Sequence, residues 1–158
     1  MIKKKVICIG EALIDRIISK SNNEFTDYFG GAPANVACAL KKLEISSVFI
    51  GCLGDDIDGK NFLKLFNDLN IDINHLQISN NFPTRIINVL SDEKGERSFS
   101  GFESINNDFY ADEVLDQSIL EGQIYQLEKI YSEAKYIVTG TNLLSASKSE
   151  QSLKFLLE

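Results

Sequence analysis

Histidine is all but missing from this chain. His75 stands alone in 158 residues, so a catalytic or zinc-binding constellation centred on histidine has little to work with. Cysteine is scarce as well: Cys8, Cys38 and Cys52 are an odd number without Cys-x-x-Cys spacing. That pattern argues against a metal or redox role and reads as thiols buried in a reducing cytoplasm. Long apolar runs are lacking too, and no stretch approaches the length of a membrane span. The run Val6 to Ile9, behind Lys3, Lys4 and Lys5, is too short for the apolar segment of a signal peptide and soon meets Glu11 and Asp15. Positive charge is in deficit, 16 Lys and Arg against 23 Asp and Glu for a net −7. A nucleic-acid partner is therefore not expected, because phosphate backbones reward clustered Lys and Arg. Internal repeats, low-complexity tracts and linkers are also absent from the sequence. These absences leave one globular domain with a real core, placed in the cytoplasm, without membrane or nucleic-acid partners.

The residues that are present alternate in a regular way. Val6 to Ile9 is a short apolar run closed by Gly10, as for a central buried strand. Pro33 sits at a first helical position, and Val36, Leu40 and Leu43 follow at helical spacing. Ser47 to Ile50 is a second strand closed by Gly51; Asp55 or Asp56 then caps a helix carrying Ile57, Phe62, Leu65, Phe66 and Leu69. A helical stretch around Leu115 to Glu133, a strand at Tyr136 to Thr139 and a final helix from about Ser147 complete the series. Strand, helix, strand, helix is the rhythm of a parallel sheet with right-handed crossovers. Two segments break it. Residues 12–29 are β-leaning and polar, and residues 84–102 read as two strands joined by a turn at Asp92 to Gly95. Paired together they make a small accessory sheet, a lid on the main domain.

Ligands of open parallel sheets bind beyond the carboxyl ends of the strands. That rule selects Gly10 to Asp15, Gly30 to Asn35, Gly51 to Gly59 and Gly140 to Asn142. Asp15 is either an acceptor for polyol hydroxyls or a solvated loop carboxylate. In FGGAPANVACALKKL, residues 29–43, the Gly30-Gly31 pair frees φ and bares its amides to a ligand, and the helix starting near Pro33 aims unpaired N–H groups at the same place. Asn35 both donates and accepts, which suits a sugar hydroxyl. Ala32, Ala34, Ala37 and Ala39 are expected to let the helix sit close on the sheet. Arg85 and Arg97, with Phe99 and Phe102, are either a clamp and cover for a substrate or a solvated hairpin with a half-buried aromatic face. GDDIDGKN, Gly54 to Asn61, nearly satisfies the phosphate-binding pattern G-x-x-x-x-G-K-[ST]. It is rejected: Asn61 lacks the magnesium-holding hydroxyl, and Asp55, Asp56 and Asp58 put carboxylates where phosphates would lie. The aspartates are better placed to cap the next helix.

Taken together, GEALID (Gly10 to Asp15), GGAPANVACAL (Gly30 to Leu40) and GCLGDDIDG (Gly51 to Gly59) resemble, in order and spacing, the amino-terminal signature of the ribokinase and fructokinase (PfkB-type) carbohydrate kinases. PTRIINVLSDEKGERSF (Pro83 to Phe99) is similar to the lid hairpin of fructokinase-like members. The resemblance covers nearly the whole chain and is weakest across Glu103 to Gln123. It implies an α/β fold, a Rossmann-like, ribokinase-like parallel sheet flanked by helices with a small β-sheet lid. It further implies that Asp15, Gly30, Gly31 and Asn35 bind the sugar, with Arg97 and Phe99 on the lid side of the pocket. Members transfer the γ-phosphoryl of ATP, with Mg2+, to a sugar hydroxyl, and many pair as homodimers through their lids.

One departure from the pattern is large. The family's Gly-Ala-Gly-Asp element, which holds the catalytic Asp and the anion hole, has no match here. No glycine follows Gly140, and the chain stops within a helical stretch at Glu158. The expectation is thus residues 1–158 as the amino-terminal part of a truncated sugar-kinase domain, with lid segments 12–29 and 84–102, the ATP-binding half absent, and no catalytic, cofactor or metal residue of its own. Loss of the base costs about 10²–10⁴-fold in rate and loss of the anion donors about another 10²–10³-fold, so the chain alone is expected to be inactive. The alternative is a non-catalytic sugar-binding or regulatory module dimerising through the lid. Fructose is the first choice of sugar, because the hairpin is fructokinase-like, with ribose, 2-keto-3-deoxygluconate and nucleosides as the alternatives. A sheet cut after a fourth main strand is expected to leave an open edge, with Leu153, Phe155, Leu156 and Leu157 as a face awaiting a partner.

Overall fold

The computed structural model describes residues 5–22, 24–103 and 109–158; Lys3 and Lys4 of the basic start, and Asn23 in the first lid segment, lie outside them. Its centre is a parallel sheet of three strands, β1 (Lys5–Ile9), β4 (Ser46–Ile50) and β9 (Ala134–Thr139), in the order β4-β1-β9. No fourth strand joins this sheet among the described residues. In its place Asp72 makes a single parallel bridge to Val48 on the outer side of β4.

Side chains alternate across β1 and divide the core in two. Ile7 and Ile9 face α3 (Gln117–Glu121), α4 (Ile124–Glu133) and α5 (Ser147–Leu157), packing with Leu120, Leu127 and Leu153. Val6 and Cys8 face α1 (Ala32–Lys42) and α2 (Ile57–Asp68), packing with Ala34, Ala37, Phe62 and Phe66. Only Ala34 and Ala37 of the four alanines in α1 turn toward the sheet; Ala32 and Ala39 are exposed, as is Leu43 just past the helix end. Burial pushes the thiols of Cys8 and Cys52 up to about 12, so both are inert at neutral pH.

The helical stretch expected around Leu115 to Glu133 consists of two helices. Asp116 caps α3 by accepting from the Ser118 amide, and the chain turns at Gly122 and Gln123 before α4 begins. Two strands of three residues each, β5 (Cys52–Gly54) and β6 (Gln77–Ser79), pair in parallel beside the main sheet. Leu153 and Leu156 are buried in this chain's own core rather than presented to a partner, while Leu157 is exposed.

The two irregular segments form a second sheet, β3-β2-β7-β8, from β2 (Leu13–Ser19), β3 (Phe25–Gly30), β7 (Ile86–Ser91) and β8 (Arg97–Phe102). The β7–β8 turn closes at Asp92, whose carboxylate accepts from the Lys94 and Glu96 amides, each at 2.9 Å. Gly95 supplies the positive φ of 80°. The root of this sheet is fastened to the main body: Phe29 of β3 meets Phe62 of α2 edge-on, ring centres 4.7 Å apart.

Candidate functional site

Ladder register decides which side chains share a face. Asp15 stands opposite Tyr28 on β3 and Ile87 on β7; Phe99 of β8 stands opposite Val89, and Arg97 opposite Ser91. Directly paired residues share a face, and alternate residues along a strand return to it. Asp15, Tyr28, Phe99 and Arg97 therefore line one face of the accessory sheet. Arg16 turns to the other face and takes Asp27 through two hydrogen bonds of 2.8 Å.

Asp15 sits where β2 leaves the main body. A Cβ on Gly30 would lie 2.4 Å from its Oδ2, so any larger residue there would have to displace this carboxylate. Partial burial raises the Asp15 pKa, and the charge of Arg97 pulls it back down. Two residues from different strands of the accessory sheet thus act on each other electrostatically.

Gly31 begins α1 with φ 94° and ψ 120°. Its bare Cα faces the backbone of the first strand tip, since a Cβ there would lie 2.4 Å from the Glu11 carbonyl oxygen. Asn35 is in the first turn, its amide bonded to the Gly31 carbonyl at 2.9 Å; its side chain is exposed and has no partner among the described residues. The N-terminal turn of α1 contains no acidic residue. Glu11 takes that role from outside the helix, its Oε1 accepting from the Ala32 amide at 3.2 Å.

Arg85 is not a substrate clamp. It is buried between the Tyr110 ring at 4.6 Å and the Phe102 ring at 5.1 Å. Its Nε donates to both oxygens of Asp112 at 3.0 and 3.1 Å. Nη2 lies 3.2 Å from Glu113, near enough to pair charges but misaligned for a hydrogen bond. The Arg85 carbonyl accepts from the Ile14 amide, so this residue pins the root of the accessory sheet.

The segment Gly54 to Asn61 also has a structural task. Asp56 caps α2 at the Gly59 amide, 2.7 Å away, and accepts from the Thr84 amide at 2.6 Å and the Thr84 hydroxyl at 2.9 Å. A phosphate would have to displace this carboxylate and face Asp55 and Asp58 beside it. ATP does not fit here, and among the described residues no group of three His, Cys, Asp or Glu side chains is placed to hold a metal ion.

Clefts lie elsewhere on the molecule. One of about 460 Å3 is bordered by Lys5, Asp72, His75, Lys129 and Glu133. Lys5 starts β1, so this cleft lies at the amino-terminal end of the strands, opposite to where open α/β sheets bind ligands. Chemistry outweighs volume, and the candidate site is the group at the carboxyl tips. The structure joins Asp15 to Gly30, Gly31 to Asn35, and Arg97 electrostatically to Asp15; Phe99 shares the face of Asp15 two strands away and is 65% exposed. Sequence reasoning passed over Glu11. The signal was a carboxylate directly after the glycine that closes a buried strand.

This combination of fold and tip residues defines a class. The profile described as pfkB family carbohydrate kinase matches residues 3–156, and the chain belongs to that family. It is 31% identical to probable fructokinase-6, chloroplastic, of Arabidopsis thaliana over 132 residues, 80% of this chain and 33% of that protein. It is 34% identical to aminoimidazole riboside kinase of Salmonella typhimurium over 96 residues, 61% of this chain and 30% of that protein. Among solved structures, fructokinase with bound ATP from Xylella fastidiosa superposes with a TM-score of 0.77 at 28% identity, covering 96% of this chain and 43% of that one. The chain thus spans about a third of the length of these curated relatives. No described helix is long and apolar enough to cross a membrane.

Proposed function

We propose that these residues form the sugar-binding portion of an ATP-dependent carbohydrate kinase, fructokinase-like, that phosphorylates a sugar hydroxyl. The observation that carries the reading is the carboxylate of Asp15 laid against the bare Cα of Gly30, just ahead of α1. An ionised carboxylate offers only acceptors, and a polyol offers a row of donors. Asn35, whose side chain has no partner among the described residues, adds a donor and an acceptor from the helix side. Phe99 and Arg97 reach in from β8, the ring for the apolar face of a sugar and the guanidinium for its oxygens. In this reading the accessory sheet, segments 12–29 and 84–102, is the lid, and the whole of 1–158 belongs to the amino-terminal part of the kinase domain.

Phosphoryl transfer needs in addition a base, a donor set for the developing charge, and a seat for ATP and Mg2+. In this reading residues 1–158 do not supply them. The chain's own work is to bind, orient and cover the sugar. The relatives named as fructokinases make fructose the first ligand to test.

Titration calorimetry of the chain with D-fructose is expected to show weak binding that Asp15→Ala and Asn35→Ala each abolish. Unaltered binding in both variants would refute the site. The 158-residue chain is expected to form no sugar phosphate from fructose and ATP; robust turnover would overturn its assignment as a binding portion only.

A second reading is favoured by exposed aromatics on the lid, Phe25 at 58% and Tyr28 at 54%. It is a sugar-binding or regulatory module that pairs through this sheet. Sedimentation equilibrium distinguishes it: Phe25→Ser and Tyr28→Ser should convert a dimer to a monomer, and a wild-type monomer rules it out.

A further inference from the structure

We propose that Glu11 is a binding residue of the same site, its Oε1 fixing the first turn of α1 and its Oε2 accepting a hydrogen bond from a hydroxyl of the bound sugar. This inference rests on the sugar-site reading and extends it into the crevice between the tips of β1 and β9.

Topology makes that crevice a ligand position. From the central strand β1 the chain proceeds through α1 to β4 on one side, while β9 arrives on the other. Such a reversal opens a gap beyond the strand tips, and polar ligands of α/β sheets bind in it. Glu11 follows Gly10 at the tip of β1, and the residue exposes only 5% of its surface. One oxygen, Oε1, has a partner in the Ala32 amide. Oε2 has none among the described residues and is buried, so a sugar hydroxyl reaches it only as the two strand tips part.

Space for that oxygen is made on purpose by the neighbours. A Cβ on Gly140, just past β9, would lie 2.4 Å from Oε2 and 2.9 Å from Oε1. Gly140 is therefore the residue without which the carboxylate could not lie across the two strand tips. A buried carboxylate oxygen without a donor is unfavourable, and nothing in the capping of α1 requires a second one. A hydroxyl is the donor that a polyol brings to this crevice. The carboxylate then couples ligand and scaffold, one oxygen on the sugar and the other on the helix whose first turn carries Asn35.

Glu11→Gln separates the two oxygens. Glutamine keeps the size of the side chain and one acceptor for the Ala32 amide, but puts an NH2 group where Oε2 was. The variant is expected to melt at the wild-type temperature and to bind D-fructose at least about tenfold more weakly by calorimetry. Glu11→Ala should lose the melting temperature as well as the affinity. If Glu11→Gln binds as wild type while Asp15→Ala does not, Oε2 is no sugar acceptor and the present inference falls alone. If Asp15→Ala itself binds as wild type, the sugar-site reading falls with it. Gly140→Ala gives an independent check: its Cβ must push the carboxylate away, so wild-type affinity in a folded Gly140→Ala protein would also overturn the assignment.

Discussion

At the scale of single residues, three glycines carry side-chain roles by having none. Gly30 admits Asp15, Gly140 admits Glu11, and Gly59 admits the Gly54 carbonyl, from which a Cβ would be 2.0 Å distant. The first two neighbours are side-chain carboxylates able to swing away, the third is backbone. Gly30→Ala is accordingly expected to keep the fold within about 1–3 kcal/mol and lose sugar affinity, whereas Gly59→Ala should cost stability at the upper end of that range or beyond it. Urea unfolding and calorimetry on the pair check this, and the order reverses if Gly30 serves only the strand. Asp112 makes a second residue-scale prediction. Burial pushes its carboxyl up to about 6, against the pull of Arg85. In the unfolded chain an aspartate has released its proton by about pH 4. Between about pH 4 and 6 the native state therefore binds a proton that the unfolded state does not, and this group makes stability fall as pH rises through that window. Asp112→Asn should remove that slope, by up to about 3 kcal/mol between the ends of the window, in urea titrations run at pH 4.5 and 6.5. A variant with the wild-type slope would show that Asp112 stays ionised throughout.

Between elements, polar joints work beside the Phe29–Phe62 ring contact. The accessory sheet meets the body through Asp56, which bridges the first turn of α2 to Thr84, and through Arg85, held on Asp112 and two aromatic rings. Asp56→Ala removes a helix cap and leaves the Thr84 amide unmet, and should lower stability by about 2–4 kcal/mol while leaving far-ultraviolet circular dichroism unchanged below the transition. A loss under about 0.5 kcal/mol would mean that water replaces the carboxylate at both amides. These joints explain what could be read from the chain and what could not. Apolar runs closed by glycine, at Ile9 and Ile50, announced buried parallel strands, and Asp92 with Gly95 announced the hairpin turn, because in each case the cause is local. Asp15, Gly30 and Asn35 could be singled out for the same reason, as residue types at strand and helix ends. The burial of Arg85 was illegible, since Asp112 and Tyr110 lie more than twenty positions away in sequence. β5 and β6 were missed because three residues carry no periodicity. Glu11 escaped notice because a carboxylate at a strand tip looks solvated until Gly140, from the far end of the chain, closes over it.

For the molecule as a whole, the main sheet is asymmetric. One side of β4 is covered by the Asp72 bridge, whose backbone bonds to Ser47 and Phe49 at 3.1 and 2.8 Å. The outer side of β9 has no strand beside it among the described residues, and Tyr136 and Ile137 are exposed, at 57% and 41%. These two side chains point to opposite faces of the sheet, so both the edge and its flanks are apolar and open. Unpaired N–H and C=O groups flanked by such side chains are a template for another strand, and proteins suppress such templates with charge. The single lysine here, Lys135, stands over the Tyr136 ring, 5.7 Å from its centre, rather than guarding the middle of the strand. The isolated chain should therefore associate through β9 as its concentration rises, separately from any pairing through the lid. Ile137→Lys places a charge at the middle of the edge, on a side chain that shares the Ile7 face but is open to solvent at the sheet margin. It is expected to lower the weight-average mass in sedimentation equilibrium at a given concentration, with an unchanged melting temperature, whereas Phe25→Ser on the lid leaves this component intact. Equal masses for wild type and Ile137→Lys would show that the open edge of β9 does not drive association.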